Sequence, residues 1–191
     1  KRQELWQLQG KHFCGGATDL YKCFDQGDRK LVLHIAHVAG MPPHALDTYA
    51  RYIEDLRLHN TISGGVGKPY TRKCGIPQGC PLSMLMLAIL LRPWASLIKS
   101  AGSHPRLLAD DVALLTEGLN CHKRFAKHLD MTHHFFHDIG AAFSVNKCFN
   151  FSNTPKMREW LKNTHWPQLD STVHTLGSFR YLGAHIATTQ R

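Results

Sequence analysis

The sequence has no CxxC pair, no internal repeat, no low-complexity tract and no signal-peptide pattern. It has no apolar run longer than Met84 to Leu91, which stops at Arg92. The missing CxxC pair excludes a zinc ribbon and a dithiol redox motif. Cys121-His122 with Cys148 matches no zinc spacing either, and is read as three unrelated core or surface residues. The six cysteines are scattered rather than framed, which suits a reducing, intracellular setting, nuclear or cytoplasmic not resolved. The short apolar run cannot cross a bilayer, so no membrane partner is expected. Acid is scarce: 14 Asp and Glu stand against 23 Lys and Arg, a formal charge of +9. That balance favours a polyanionic partner such as nucleic acid, although a basic enzyme without one reads equally well from charge alone. At 191 residues, with 43% hydrophobic content, the chain can bury one core and is read as a single folded unit.

Several elements can be placed from pattern. Residues 1–8 read as helical. Residues 13–20 are small and apolar with Gly15 and Gly16 inside, a strand that something approaches closely. Leu31, Ile35 and Val38 repeat at helical spacing up to Gly40. Pro42-Pro43 opens a second helix with Leu46, Tyr49, Ile53 and Leu56 on one face. Residues 60–73 read as a hairpin or loop. Residues 81–100 read as a buried helix broken or kinked at Pro93. Residues 106–116 read as a hairpin with Asp110-Asp111 at its tip. Residues 120–139 form an amphipathic helix with Phe125, Leu129, Thr132, Phe136 and Ile139 on its apolar face, Asn120 as cap and Gly140 as stop. Its other face carries Lys123, Arg124, Lys127 and His128, read as a solvated surface. Residues 143–151 and 179–186 read as strands. Helices and strands without a regular βαβ beat indicate an α+β fold with an antiparallel sheet.

Two acidic sites sit among apolar residues: Asp19, after Cys14-Gly15-Gly16-Ala17-Thr18, and Asp110-Asp111, between Leu107-Leu108-Ala109 and Val112-Ala113-Leu114-Leu115. Adjacent carboxylates repel, and holding both ionised needs a cation. Magnesium takes such oxygen ligands wherever phosphates are handled. Three carboxylates from two strands could hold two ions for nucleotidyl transfer. An Asp-Asp pair is also a common turn, and taken alone it reads as one. Gly75-Ile76-Pro77-Gln78-Gly79-Cys80-Pro81-Leu82-Ser83 fixes a shaped loop before a helix, able to present Gln78 to a base pair. Ser63-Gly64-Gly65-Val66-Gly67-Lys68-Pro69 is not a phosphate loop, because Ile62 and Pro69 occupy the positions of its first Gly and its Ser or Thr.

Taken in order, these segments resemble reverse transcriptases, especially those of retrotransposons lacking long terminal repeats and of group II introns. Asp19 to Asp25 resembles the D-x-x-x-x-F-D of motif A, Gly75 to Ser83 the G-x-x-Q-G-x-P-L-S of motif B, and Leu108 to Asp111 the [YF]-x-D-D of motif C. Gly140 to Lys147 resembles motif D, and Tyr181-Leu182-Gly183 the primer grip of motif E. The resemblance spans nearly the whole chain, with motif A at 13–25, B at 72–83, C at 107–115, D at 140–148 and E at 179–184. It implies one palm fragment over 1–191, an antiparallel sheet packed on helices, with partial fingers and no thumb. The missing fingers and thumb segments of the parent protein would lie before and after it, so extension by these residues alone is expected to be weak.

It also implies an activity: RNA-directed DNA synthesis by nucleotidyl transfer, from a retrotransposon-like element. Asp19, Asp110 and Asp111 would be the catalytic ligands of two Mg2+ ions. Leu20, Phe24, Gln78, Gly79 and Lys147 would contact the incoming nucleotide. Tyr181, Leu182 and Gly183 would hold the primer. Partners would be dNTPs and an RNA or DNA template with its primer. A ring at Phe24 would clash with a 2′-hydroxyl and so select deoxynucleotides, which argues against the alternative of an RNA-dependent RNA polymerase palm. A further alternative is a decayed copy acting only as a basic nucleic-acid-binding fold. Asp25 is expected to hold local structure. Leu108 departs from the aromatic of motif C, and Met84 from the Pro that often follows motif B.

Overall fold

The computed structural model describes residues 9–189, and the helix expected over 1–8 lies outside them. Contacts divide the described residues into two compact units, one of residues 9–21 and 94–189, the other of residues 22–93.

The first unit is built on β1 (Phe13–Asp19), flanked on both sides by antiparallel partners. Its five-stranded sheet has the order β4-β5-β1-β6-β9, with β4 at His104–Leu108, β5 at Asp111–Glu117, β6 at Phe149–Ser152 and β9 at His174–Leu176. Only β6 and β9 run parallel. Successive residues of a strand point to opposite faces, and the two glycines of β1 serve one face each. A Cβ on Gly15 would lie 2.4 Å from Phe151 Cζ, and one on Gly16 2.9 Å from Phe125 Cζ. On the Gly15 face, Phe13, Leu115 and Phe151 form a core with Phe179, and Phe149, Tyr181 and Ile186 pack around it. Phe179 and Tyr181 come from a separate hairpin, β10 (Ser178–Tyr181) and β11 (Ala184–Ala187), joined by Leu182-Gly183. Both loop residues have positive φ, 48° and 80°, as a tight two-residue hairpin turn requires. The Gly16 face is covered by the long helix Cys121–Asp138, here α5, through the fully buried Phe125. Its Phe136 meets the fully buried Trp94 at 5.9 Å between ring centroids.

Three expectations for this unit change. Asn120 does not cap α5: it adopts a left-handed conformation with φ 53°, and its side chain makes no capping hydrogen bond. His128 is not on the solvated face but 5% exposed, its Nδ1 2.6 Å from Ser103 Oγ. The expected strand over 143–151 is shorter, because residues 145–147 turn into a 3₁₀ segment and only Phe149–Ser152 pairs. The cap at the other end holds, with Gly140 at φ 75° donating to His137 O.

The second unit begins with a single helical turn, α1 (Cys23–Gln26), followed by α2 (Arg29–Val38) and α3 (Pro43–Asp55). Asp28 caps α2 by accepting from Lys30 N at 2.7 Å and Leu31 N at 3.1 Å. The buried face of α2 is centred on Val32 and Ala36, and Val38 is 71% exposed, so the expected stripe is rotated by one position. On α3, Tyr49 and Ile53 are buried as expected. Arg29 ties the unit together, donating to Ile53 O at 2.8 Å and Gly75 O at 3.0 Å. Thr61–Ile62 (β2) and Gly65–Val66 (β3) form a small hairpin that overlaps the first part of the rejected phosphate-loop pattern.

The helix α4 (Ser83–Ser100) continues through Pro93, so the proline does not break it. By length and composition it could cross a membrane. Met86, Leu87, Leu90, Leu91, Trp94 and Ile98 are all at most 5% exposed, while Met84, Leu85 and Leu97 are 40–50% exposed.

Candidate active site

Asp19 is the last residue of β1 and Asp111 the first of β5, and the two are direct partners in the antiparallel register. Directly opposed residues lie on one face with Cα atoms about 4.5–5.5 Å apart. Both therefore sit on the Gly15 face, at the end of the sheet. Asp110 and Ala109 make the two-residue turn between β4 and β5, as the hairpin pattern predicted, with Asp111 just past its tip. Ala109 has φ 54°, an uncommon conformation for a residue with a side chain. Asp19 is half-buried, while Asp110 and Asp111 are exposed.

The electrostatics follow from this crowding. The Asp111 carboxyl is pushed above its usual range, first by the desolvation its strand position imposes and then by the charges of Asp110 and Asp19. Lys147 faces the group as a cation, its Nζ 3.5 Å from Asp19 Oδ1. The shortened β6 accounts for its position. Tyr21 N donates to Ala142 O and Ser144 N to Asp19 O, so the chain leaves the sheet beside Asp19 and turns back through residues 145–147.

Tyr181 reaches the same neighbourhood from the β10–β11 hairpin. Its hydroxyl is pushed up to about 12, chiefly by burial and then by the negative charge of Asp111. The primer-grip resemblance marked Tyr181 but gave no sign of this electrostatic link, because a separation of 70 positions carries no periodic signal. Leu182, 51% exposed, and Gly183 form the hairpin tip. Leu20, expected beside a nucleotide, is 3% exposed, so its side chain belongs to the core.

Phe24, Gln78 and Gly79 belong to the second unit. Phe24 lies in α1, and its carbonyl accepts from Ile76 N, while Gly75 N donates to Gly27 O at 2.8 Å. Gly75 has φ 89°, and a Cβ there would meet Asp25 O at 2.8 Å. These contacts stitch the end of the motif A pattern to the start of motif B. Asp25 holds local structure through an ion pair with Arg72. Gln78 is exposed on the lining of a cavity of about 370 Å³, which also includes Asp25, Arg29, Tyr52, Tyr70 and Arg72.

Among the described residues no group of three or more His, Cys, Asp or Glu side chains forms a ready-made metal cage. The three acids nonetheless fit divalent cations in charge and chemistry: two opposed carboxylates and a third beside them, oxygen donors only, with one lysine as counter-charge.

A model of the family described as reverse transcriptase (RNA-dependent DNA polymerase) matches residues 2–186. No curated protein matches the sequence significantly. Among solved structures, the apo telomerase of Candida tropicalis, truncated from its C-terminal domain, superposes with a TM-score of 0.64 at 15% identity, over 98% of this chain and 36% of that one. The telomerase of the same organism in complex with a fragment of telomeric RNA gives 0.60 at 14% identity, over 81% and 28%. The chain thus spans about a third of the structures it matches. The likeness confirms the expected fold class, an α+β polymerase palm with a mainly antiparallel sheet packed on helices. Over 185 of its residues, positions 2 to 186, the chain belongs to the reverse transcriptase family.

Proposed function

We propose that this chain is the palm region of an RNA-directed DNA polymerase, from an element of the non-LTR retrotransposon or group II intron type, and that Asp19, Asp110 and Asp111 carry nucleotidyl transfer. The observation that supports this most is the direct register pairing of Asp19 with Asp111, with Asp110 in the adjoining turn. Two Mg2+ ions at these carboxylates would supply charge neutralisation at the attacking primer hydroxyl and the leaving pyrophosphate. The chain's own residues do the rest. The sheet register holds Asp19 and Asp111 on one face. The Ala109-Asp110 turn keeps the third acid at the open end of the hairpin. Lys147, now paired to Asp19, would turn to the triphosphate and donate a proton to the leaving group. Leu20 would contribute through its backbone, and Gln78 and Gly79 through an exposed loop facing the nucleotide or template. Phe24 would exclude the ribose 2′-hydroxyl. Tyr181, Leu182 and Gly183 would hold the primer end, with template, primer and dNTPs as partners.

Primer extension on an RNA template with dNTPs and Mg2+ tests this reading. The wild-type chain should extend weakly and with Mg2+ dependence, and Asp110→Asn should not extend at all. Extension that survives Asp110→Asn contradicts the catalytic assignment. Efficient use of ribonucleotides instead would favour an RNA polymerase, and duplex binding without any extension a decayed copy.

A further inference from the structure

On the opposite face of β1, toward its other end, three sulfur atoms meet. Cys14 Sγ lies 3.4 Å from Cys121 Sγ. Met157 Sδ lies 3.8 Å from the first and 3.6 Å from the second. The three residues come from β1, from the first turn of α5 and from the helix Pro155–Lys162, here α6. Both thiols are reduced and completely buried, while Met157 is half-buried. None of the three takes part in the chemistry proposed above. We propose that Cys14, Cys121 and Met157 form a binding site for one soft monovalent metal ion of the Cu(I) class.

The donor set is the first argument. Thiolate and thioether sulfur select Cu(I), whereas Mg2+, Ca2+ and Mn2+ prefer oxygen. A structural zinc site would need a fourth nitrogen, sulfur or oxygen donor, and among the described residues no third His, Cys, Asp or Glu joins Cys14 and Cys121 in a metal-holding group. Shape is the second. A metal–sulfur bond of ~2.3 Å places three trigonal sulfurs about 4.0 Å apart, so the triangle need open by only a few tenths of an ångström. Charge is the third. Binding a monovalent ion releases both thiol protons and leaves one net negative charge, with no change of oxidation state. The Cys121 thiol already sits lower than usual, chiefly through its hydrogen bond with Cys14 and further because Arg124 is near. Cys14 is held up by the same hydrogen bond and by burial. Access is the fourth. Met157 is the donor nearest solvent, so an ion can reach the thiols by swinging a flexible thioether aside.

Three sulfurs can also meet simply as core packing, and the test separates the two. The chain would carry Cys74→Ser and Cys80→Ser to remove the thiols that are not buried. It would be titrated without oxygen with Cu(I) buffered by a chelator of known affinity, and its metal–sulfur bonds counted by X-ray absorption. One ion per chain with three sulfur ligands is expected. Met157→Leu, a near-isosteric change at a half-buried position, should keep the fold while lowering affinity ~10-fold or more and leaving two sulfurs. Cys121→Ser should abolish binding. No uptake against the chelator, equal binding by Met157→Leu, or formation of a Cys14–Cys121 disulfide in place of metal binding would overturn the proposal.

Discussion

The two units of the chain hold their candidate functional residues by different means. In the first, a strand register does it: Asp19 faces Asp111 because β1 and β5 pair without a bulge from Phe13↔Glu117 onward. In the second, Phe24, Gln78 and Gly79 stand on a single helical turn and a loop, held by hydrogen bonds from Ile76 and Gly75 to Phe24 and Gly27 and by the Arg72–Asp25 ion pair. A register cannot drift by one residue without moving every side chain to the other face. A loop can shift gradually. The first unit should therefore respond to substitution in all-or-none fashion, and the second by degrees.

The largest effect expected is on catalysis. Asp19→Asn or Asp110→Asn should reduce primer extension by ~10³-fold or more, since several kcal/mol of charge stabilisation are lost. A graded loss at these positions would break the contrast. Next comes acid sensitivity of the first unit. His133 is 1% exposed, with edge-to-face contacts to Phe143 and Trp166, and burial pushes its pKa down to about 4. Unfolded, it would titrate near the usual value of about 6.5. Between these values the unfolded chain binds a proton that the folded one does not, so stability falls as pH drops through that window. The full loss is roughly 3 kcal/mol. Urea unfolding at several pH values should show that fall in the wild type and much less of it in His133→Phe. His128 and His122, both also lowered chiefly by burial, would contribute to the remaining slope.

Packing at β1 gives a third test. Gly15→Ala puts a Cβ 2.4 Å from Phe151 and 2.9 Å from Leu114 O, and should destabilise the fold by about 1–3 kcal/mol. An unchanged melting temperature would mean the sheet face is looser than described. In the second unit, Phe24→Ala should leave the rate with dNTPs within ~10-fold while relaxing discrimination against ribonucleotides. An all-or-none loss there would erase the difference between the units. The smallest effect is on stability. Without metal, Asp110→Asn should raise the melting temperature slightly, because it removes one of the charges crowding Asp111.

Much of the first unit was legible because its signals are periodic or local. Alternation and paired glycines marked β1, apolar flanks marked the β4–β5 hairpin, and helical spacing marked α5. What was not legible depends on contacts distant in sequence. Phe143 to Phe151 reads as one apolar strand, yet Ser144 N is taken by Asp19 O, and that tie ends the strand and brings Lys147 to the acids. His128 sits among basic residues in sequence, and the Ser103 hydroxyl that gives its ring a buried partner is distant in sequence. Asn120 is a good cap by residue type, but the turn from β5 forces it into a left-handed conformation. The sulfur triangle joins residues 107 and 36 positions apart, which no spacing rule connects.

The central claim is that three acids on one sheet end need divalent cations to share their site. Calorimetric titration of Mg2+ into the wild-type chain and into Asp19→Asn tests it most directly. The account predicts saturable binding to the wild type that is lost or much weakened in the variant. Equal binding to both, or none to either, would contradict it.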